Sequence, residues 1–334
     1  MKVHVQLDSA PGAGAARSRE LAEIGAGGLF TFEGPHDVFF PLVEAASAVD
    51  LDLMTNVAIA FPRSPMHLAH SANDLQLLSR GHFRLGLGSQ IKPHIEKRYS
   101  ATWSRPAARM KETVAAVKAI FTAWENTSTL NFRGEFYTHT LMPPTFDPGP
   151  NPYGPPPILM GALGPVMTRT AAEVADGLLV MPFHTHRHFL ERTLPAVDAG
   201  LRESGRTREE FTIIPQVIVG VGRGDEQLAA AARGVRALLS FYGSTPAYRP
   251  VLDVEGWGEV QPELNALSKR GGYADMASLI TDPMLTTLAV VGTPEECAAE
   301  IRRRFGEHAD EVCCYFPGYD AEPADVASLI SSLD

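Results

Sequence analysis

Cysteine is scarce in this chain, and basic residues are outnumbered by acidic ones. Cys297, Cys313 and Cys314 are the only cysteines in 334 residues. None has metal-like Cys-x-x-Cys spacing, adjacent cysteines rarely bridge, and three cannot build a disulfide framework. A reduced, cytoplasmic setting is the expectation. Lys and Arg number 29 against 39 Asp and Glu, a formal charge of −10, and no basic run occurs. Nucleic acid and anionic membrane surfaces both reward clustered positive charge, so neither is expected as a partner, and a small molecule is. No run of about 18 apolar residues is available to cross a bilayer. Met1–Ala10 also lacks the basic and apolar stretches of a secretory leader.

Several catalytic signatures are missing as well. There is no Gly-x-Ser-x-Gly elbow for a serine hydrolase and no P-loop. Gly86-Leu87-Gly88 opens like a dinucleotide fingerprint, but Ile91 stands where a third glycine belongs, and Lys92-Pro93 interrupts the helix signal.

What remains is an ordinary globular composition, 45% hydrophobic and 20% charged, in which short apolar runs alternate with longer helical patterns. Strands are expected at Val3–Leu7, Gly28–Phe32, Leu53–Ala58, Phe83–Leu87, Ile158–Gly161, Gly177–Met181, Thr212–Val221 and Glu311–Phe316. Helices are expected at Ala15–Gly25, Val38–Val49 with Asp37 as its N-cap, Met66–Leu78, Pro106–Trp124, Val166–Ala175, Arg187–Ser204, Asp225–Phe241, from the Thr293-Pro294-Glu295-Glu296 capping box, and at Asp325–Leu333. Eight strands with intervening helices favour a single (β/α)₈ barrel over residues 1–334, and an open Rossmann-like sheet is the alternative. Two excursions interrupt the alternation, at Asn126–Pro157, with a hairpin turning at Arg133-Gly134, and at Ser244–Ala289.

In a barrel, chemistry belongs at the C-terminal ends of the strands. Asn56 and Val57 end strand three. Gly86 and Gly88 remove side chains at the end of strand four, either for a planar ring or for a tight turn, and Ser89 offers a hydroxyl there. Glu33 and His36 follow strand two, where a carboxylate and an imidazole can meet and handle protons; a solvated loop acid is the plainer reading of Glu33. Gly161-Ala162-Leu163-Gly164-Pro165 leads into a helix whose free amides suit a phosphate, or forms a plain turn. His184, His186 and His188 raise the question of a metal, but no carboxylate completes a set, and no metal site is expected; one of the three is a candidate for touching a cofactor at the mouth. His94, Lys97 and Arg98 form a small basic cluster, an anion site or a solvated turn.

Asn56-Val57-Ala58-Ile59-Ala60-Phe61-Pro62-Arg63-Ser64-Pro65, followed by Leu75-Gln76-Leu77-Leu78-Ser79-Arg80-Gly81-His82-Phe83-Arg84-Leu85-Gly86-Leu87-Gly88-Ser89-Gln90, resembles the bacterial luciferase-like superfamily of flavin and deazaflavin barrels. Arg109-Met110-Lys111-Glu112, Phe132-Arg133-Gly134-Glu135-Phe136-Tyr137 and Ala172-Glu173-Val174-Ala175-Asp176-Gly177 extend the likeness over essentially the whole chain. Glu33-Gly34-Pro35-His36-Asp37 and the stretch from Gln90 to Arg98 are most similar to the F420-dependent oxidoreductase branch.

The resemblance implies hydride transfer between a deazaflavin and a small organic substrate, with His36 or Glu33 handling the proton. It implies a non-prolyl cis peptide at Asn56-Val57 backing the ring, Ser89 and Gln90 flanking it, and Gly161, Ala162, Leu163 and Gly164 near the phosphate. It also implies a homodimer. FMN with monooxygenase chemistry is the alternative, made less attractive by Ser89 standing where FMN enzymes of the family carry Arg; a non-catalytic flavin- or deazaflavin-binding barrel is another. Substrate choice is expected to lie in the two excursions.

Overall fold

Aliphatic and β-branched runs too short for helices form parallel strands whose two faces are both covered, as a parallel sheet requires. The computed structural model describes residues 1–7 and 10–334; Asp8 and Ser9, within the Met1–Ala10 stretch, lie outside the described residues. The barrel strands are β1 (Lys2–Gln6), β2 (Gly28–Thr31), β3 (Asp52–Thr55), β4 (Phe83–Gly88), β5 (Ile158–Ala162), β6 (Gly177–Val180), β7 (Thr212–Val221) and β8 (Glu311–Tyr315). Each pairs in parallel with the next, and β8 pairs back onto β1 with Val3 opposite Val312. The sheet therefore closes on itself, and the open Rossmann-like alternative is excluded.

Alternation decides what lies inside. Phe30, Met54, Leu159, Leu179, Ile214, Cys313 and Tyr315 form an interior cluster, while the opposite faces of the same strands join the helices in the larger core. Two residues earlier on several strands, the interior turns ionic. Asp52 accepts from Lys2 at 2.7 Å and from Arg84 at 3.2 Å, and Glu311 accepts from Arg84 at 2.7 Å and lies 2.6 Å from His4 Nε2. Burial pushes the Glu311 carboxyl up, but His4 and Arg84 outweigh it and hold it at about 2. His4 itself is lowered, mainly by burial, and so faces Glu311 as a neutral donor. This network occupies the N-terminal end of the barrel, away from the expected site.

The main helices around the barrel are α1 (Gly14–Glu23), α2 (Phe40–Ala46), α3 (Pro65–Leu78), α4 (Pro106–Glu125), α5 (Pro165–Val174), α6 (Leu194–Ser204), α7 (Asp225–Gly243), α8 (Pro294–Phe305) and α9 (Pro323–Leu333), and a short helix, Lys92–Lys97, forms after β4 where Lys92-Pro93 was expected to interrupt one. The Thr293–Glu296 capping box on α8 is present. Asp37 does not cap α2. It accepts from the Phe39 amide at 2.8 Å and faces Arg63, so α2 begins only at Phe40. The hairpin turns over Gly134–Tyr137, one step beyond Arg133-Gly134, because the Glu112 carboxylate accepts three successive amides there. The stretch from His186 to Ser204 is helical, but Phe189–Thr193 adopts π-helical spacing.

The second excursion is not irregular. It holds helices Arg249–Val254, Val260–Lys269, Tyr273–Ser278 and Asp282–Leu288, and it returns through a strand absent from the sequence reading, Val290–Gly292, paired with the far end of β7. These helices share a second apolar cluster with α7 and make a cap. No helix among the described residues is long and apolar enough to cross a membrane.

Candidate functional site

At the C-terminal end of β3 the chain leaves the ladder. Met54 pairs with Arg84 and Ala58 with Leu87, so four steps on one side meet three on the other, which is a one-residue bulge. Thr55 bridges the gap. Its hydroxyl donates to the Gly86 carbonyl at 2.8 Å and accepts from the Gly86 amide at 2.9 Å. The peptide Asn56–Val57 that follows is cis.

Three glycines make the bulge possible. A Cβ on Gly86 would lie 1.9 Å from the Thr55 carbonyl oxygen, and one on Gly88 would lie 2.4 Å from Val57 Cγ2. A Cβ on Gly161 would meet Val57 Cγ1 at 3.0 Å. The missing side chains at Gly88 and Gly161 are thus filled by Val57, which spans the ends of β4 and β5. Asn56, 4% exposed, has no hydrogen bond of ordinary geometry at either amide atom, its neighbour there being the weakly accepting Cys313 thiol. A buried amide in that state is what a bound polar group would relieve. Beside it the Cys313 thiol is pushed well up by burial and stays protonated.

Beyond β4, Ser89 donates to the Gln90 carbonyl at 3.1 Å, and Gln90 takes a left-handed backbone with its own side chain accepting from the Ile91 amide. Across the mouth, Ala162 ends β5 and Gly164 stands at the N-cap of α5, with open space where its Cβ would be. Pro165 has no amide, so the first-turn amides of Val166 and Met167 are the free donors there.

Glu33 and His36 are not brought together. The Glu33 carboxylate accepts from Arg63 at 2.6 Å, the Ile59 amide at 2.8 Å and the Tyr99 hydroxyl at 3.0 Å. It ties the β2 loop to the segment after the bulge, and burial followed by Glu33 raises the Tyr99 phenol. His36 lies exposed in the same loop. Arg98, of the small basic cluster, donates to the Gly34 carbonyl at 2.7 Å and so braces that loop too.

The histidine string sits elsewhere. His184 donates from Nδ1 to the Met181 carbonyl at 2.8 Å, and its ring packs on Phe189 and Phe305 within the helical layer. Burial lowers His184 to about 3 and His188 to about 4, so both are neutral. Among the described residues no group of three His, Cys, Asp or Glu is placed to hold a metal ion.

The sequence reading missed the opposite wall. Tyr315 packs against Phe30 with the rings tilted 54° and centroids 4.8 Å apart, and donates to Gln216 Oε1 at 2.7 Å. In the cap, Tyr242 on α7 and Tyr248 just beyond pack on Phe183. The available signal was the run Phe241-Tyr242-Gly243-Ser244, too aromatic for a plain solvent-facing helix end. Of the two excursions, the first is held along α4 by Glu112 and does not carry this wall.

The luciferase-like monooxygenase family matches residues 15–310. The uncharacterized protein Rv1360 of Mycobacterium tuberculosis is 46% identical over 308 residues, 92% of this chain and 91% of that protein. A 5,10-methylenetetrahydromethanopterin reductase of Archaeoglobus fulgidus is 29% identical over 243 residues, 71% of this chain and 68% of its own. Among solved structures, the coenzyme F420-dependent tetrahydromethanopterin reductase of Methanopyrus kandleri shares the fold with a TM-score of 0.80 at 17% identity, covering 99% of this chain and 96% of that one. With most of its length matched, the chain belongs to the luciferase-like monooxygenase family.

Proposed function

We propose that this chain is an F420-dependent oxidoreductase acting on a small organic substrate. The observation that carries the reading is the pairing of Val57, an apolar surface across two strand ends, with Asn56, a buried amide that has no partner stronger than the Cys313 thiol. A planar ring with polar edges suits both. The relatives named for methylenetetrahydromethanopterin reduction and for F420 dependence support the choice of deazaflavin, and Ser89 in place of Arg disfavours FMN.

When bound, the deazaflavin supplies two-electron hydride chemistry at its C5. Val57 would back the ring, Asn56 would bond its polar edge, and Ser89 and Gln90 would flank it. The free amides at the start of α5, beside Gly161–Gly164, would receive the phosphate. His36, exposed in its loop, would exchange the proton with the substrate oxygen. Glu33, committed to three donors, would position that loop.

Titration of the pure protein with F420 and with FMN, followed by fluorescence, tests the reading. Saturable F420 binding in the micromolar range without FMN binding is expected, and the reverse result overturns it. F420 binding with no turnover of any reductant would instead favour a non-catalytic barrel.

We also propose a homodimer formed through α2 and α3. Phe40, Val43, Leu77 and Leu78 are exposed there, around a groove shared with Phe39 and Leu75. Contiguous apolar surface of this kind is what association covers.

A further inference from the structure

Three segments meet around the proposed ring seat: the bulge after β3, the loop after β4, and the loop after β2 that carries His36. One carboxylate links them. Glu33 accepts from the Ile59 amide at 2.8 Å and from Arg63 at 2.6 Å, both beyond the bulge, and from the Tyr99 hydroxyl at 3.0 Å, at the end of the segment that follows β4. Its side chain is only 7% exposed, so water competes poorly for these bonds.

The segment after β4 is built as an arm. Gln90 accepts the Ile91 amide with its own side chain at 2.9 Å, directly before the short helix Lys92–Lys97. Ile95, wholly buried in the main core, pins that helix. The His94 carbonyl accepts from the amides of both Arg98 and Tyr99 at 3.0 Å, and the Ile95 carbonyl accepts from Ala101 at 2.9 Å. The arm thus runs, hydrogen-bonded to its end, from Gln90 at the expected ring edge to Arg98 and Tyr99.

The end of the arm grips the β2 loop at two points. Tyr99 holds Glu33, and Arg98 donates to the Gly34 carbonyl at 2.7 Å with its guanidinium over the Tyr99 ring, 5.0 Å from the centroid. On the far side of His36, Asp37 faces Arg63 at 3.3 Å, and the Val38 carbonyl accepts from Thr31 at 2.7 Å. Pro35 and the exposed His36 are left between the two sets of anchors. Among these anchors, Arg98 and Tyr99 stand on the same arm as Gln90.

We infer that Arg98 and Tyr99 are positioning residues that transmit occupancy of the ring seat to His36. A ring held against Ser89 and Gln90 steadies the arm, and the arm steadies the loop that presents the imidazole. The proton carrier is then fixed in place only when the cofactor is seated. The identity of that ring rests on the proposed F420 reading; the mechanical link from Gln90 to the loop does not.

Hydrogen-exchange mass spectrometry of residues 33–38 tests the link, with the imidazole NMR resonance of His36, identified by its loss in His36→Gln, as a second readout. In the cofactor-free protein Gln90→Met should speed exchange in this loop about three- to tenfold, the worth of one net hydrogen bond, and displace the His36 resonance. In a Tyr99→Phe background the same change should do neither, because the connection is already cut. Arg98→Met is the second way to cut it, and Arg98→Lys, which keeps a donor for Gly34, should restore the response. Near-UV circular dichroism reports that each variant keeps its fold. Saturating F420 should slow exchange in the native loop and leave it unchanged in Tyr99→Phe, with affinity lowered no more than about tenfold, the size of the coupling itself.

An equal response to Gln90→Met in both backgrounds, or none in either, overturns the inference. So does F420 that binds and slows the loop equally in native protein and Tyr99→Phe. Failure of F420 to bind overturns the proposed cofactor instead, and the Gln90 and Tyr99 variants still decide the link.

Discussion

The Thr55 hydroxyl and the Gly86 backbone exchange two hydrogen bonds, at 2.8 and 2.9 Å, where the β3–β4 ladder would otherwise break. A side chain here stands in for a strand. Thr55→Val keeps the shape and removes both bonds, leaving a buried amide and carbonyl unpaired. The expected loss is about 2–4 kcal/mol, read as a lower urea midpoint at unchanged slope, together with weaker F420 binding.

Val57 and Gly88 are predicted to be energetically coupled. Gly88→Ala places a methyl group where Val57 Cγ2 stands and should weaken F420 binding at least about tenfold by moving the bulge. Val57→Ala should restore part of that loss in the double variant. Additive effects in this cycle would show that the contact does not set the mouth.

His36 and Glu33 should separate cleanly. His36→Gln is expected to lower kcat about 10²-fold or more while F420 affinity changes little, the pattern of a lost proton carrier. Glu33→Gln removes the charge facing Arg63 and should lower stability and F420 affinity together.

Acid should destabilise the protein in two stages. His184 and His188 have folded values near 3 and 4, below the 6.5 of an unfolded chain, so the unfolded state binds more protons below that pH. Their contribution is complete above pH 6.5 and is lost as pH falls through the range, at up to about 1.4 kcal/mol per unit and histidine. Glu311, at about 2 against 4.5, adds a second loss below pH 4.5. His184→Leu should flatten the first stage in urea titrations between pH 7.5 and 5, and leave the second in place.

Phe40→Glu on α2 should shift the proposed dimer to monomer in light scattering without changing the fold. A dimer that persists would place the interface elsewhere.

The barrel was legible because short apolar runs alternate with longer helical patterns along the chain. Val290–Gly292 was not, since three residues hold too little pattern to separate a strand from a helix end. Asp37 shows a different limit: a short acid before an apolar run reads as an N-cap, and only the fold brings Arg63 close enough to claim it. Glu33 and His36 are neighbours in sequence, yet their side chains find different surroundings. The packing of the cap aromatics was not legible because Tyr242 and Tyr248 meet Phe183, far away along the chain, only in the fold.

Strand β7 is ten residues long, twice β8, and its surplus carries Val290–Gly292 at its side. The inserted chain therefore departs and returns at neighbouring points on one rigid support. Such a mount makes the segment between Gly222 and Ala289 an exchangeable part: it can be lengthened, shortened or replaced while the strands beneath keep their register.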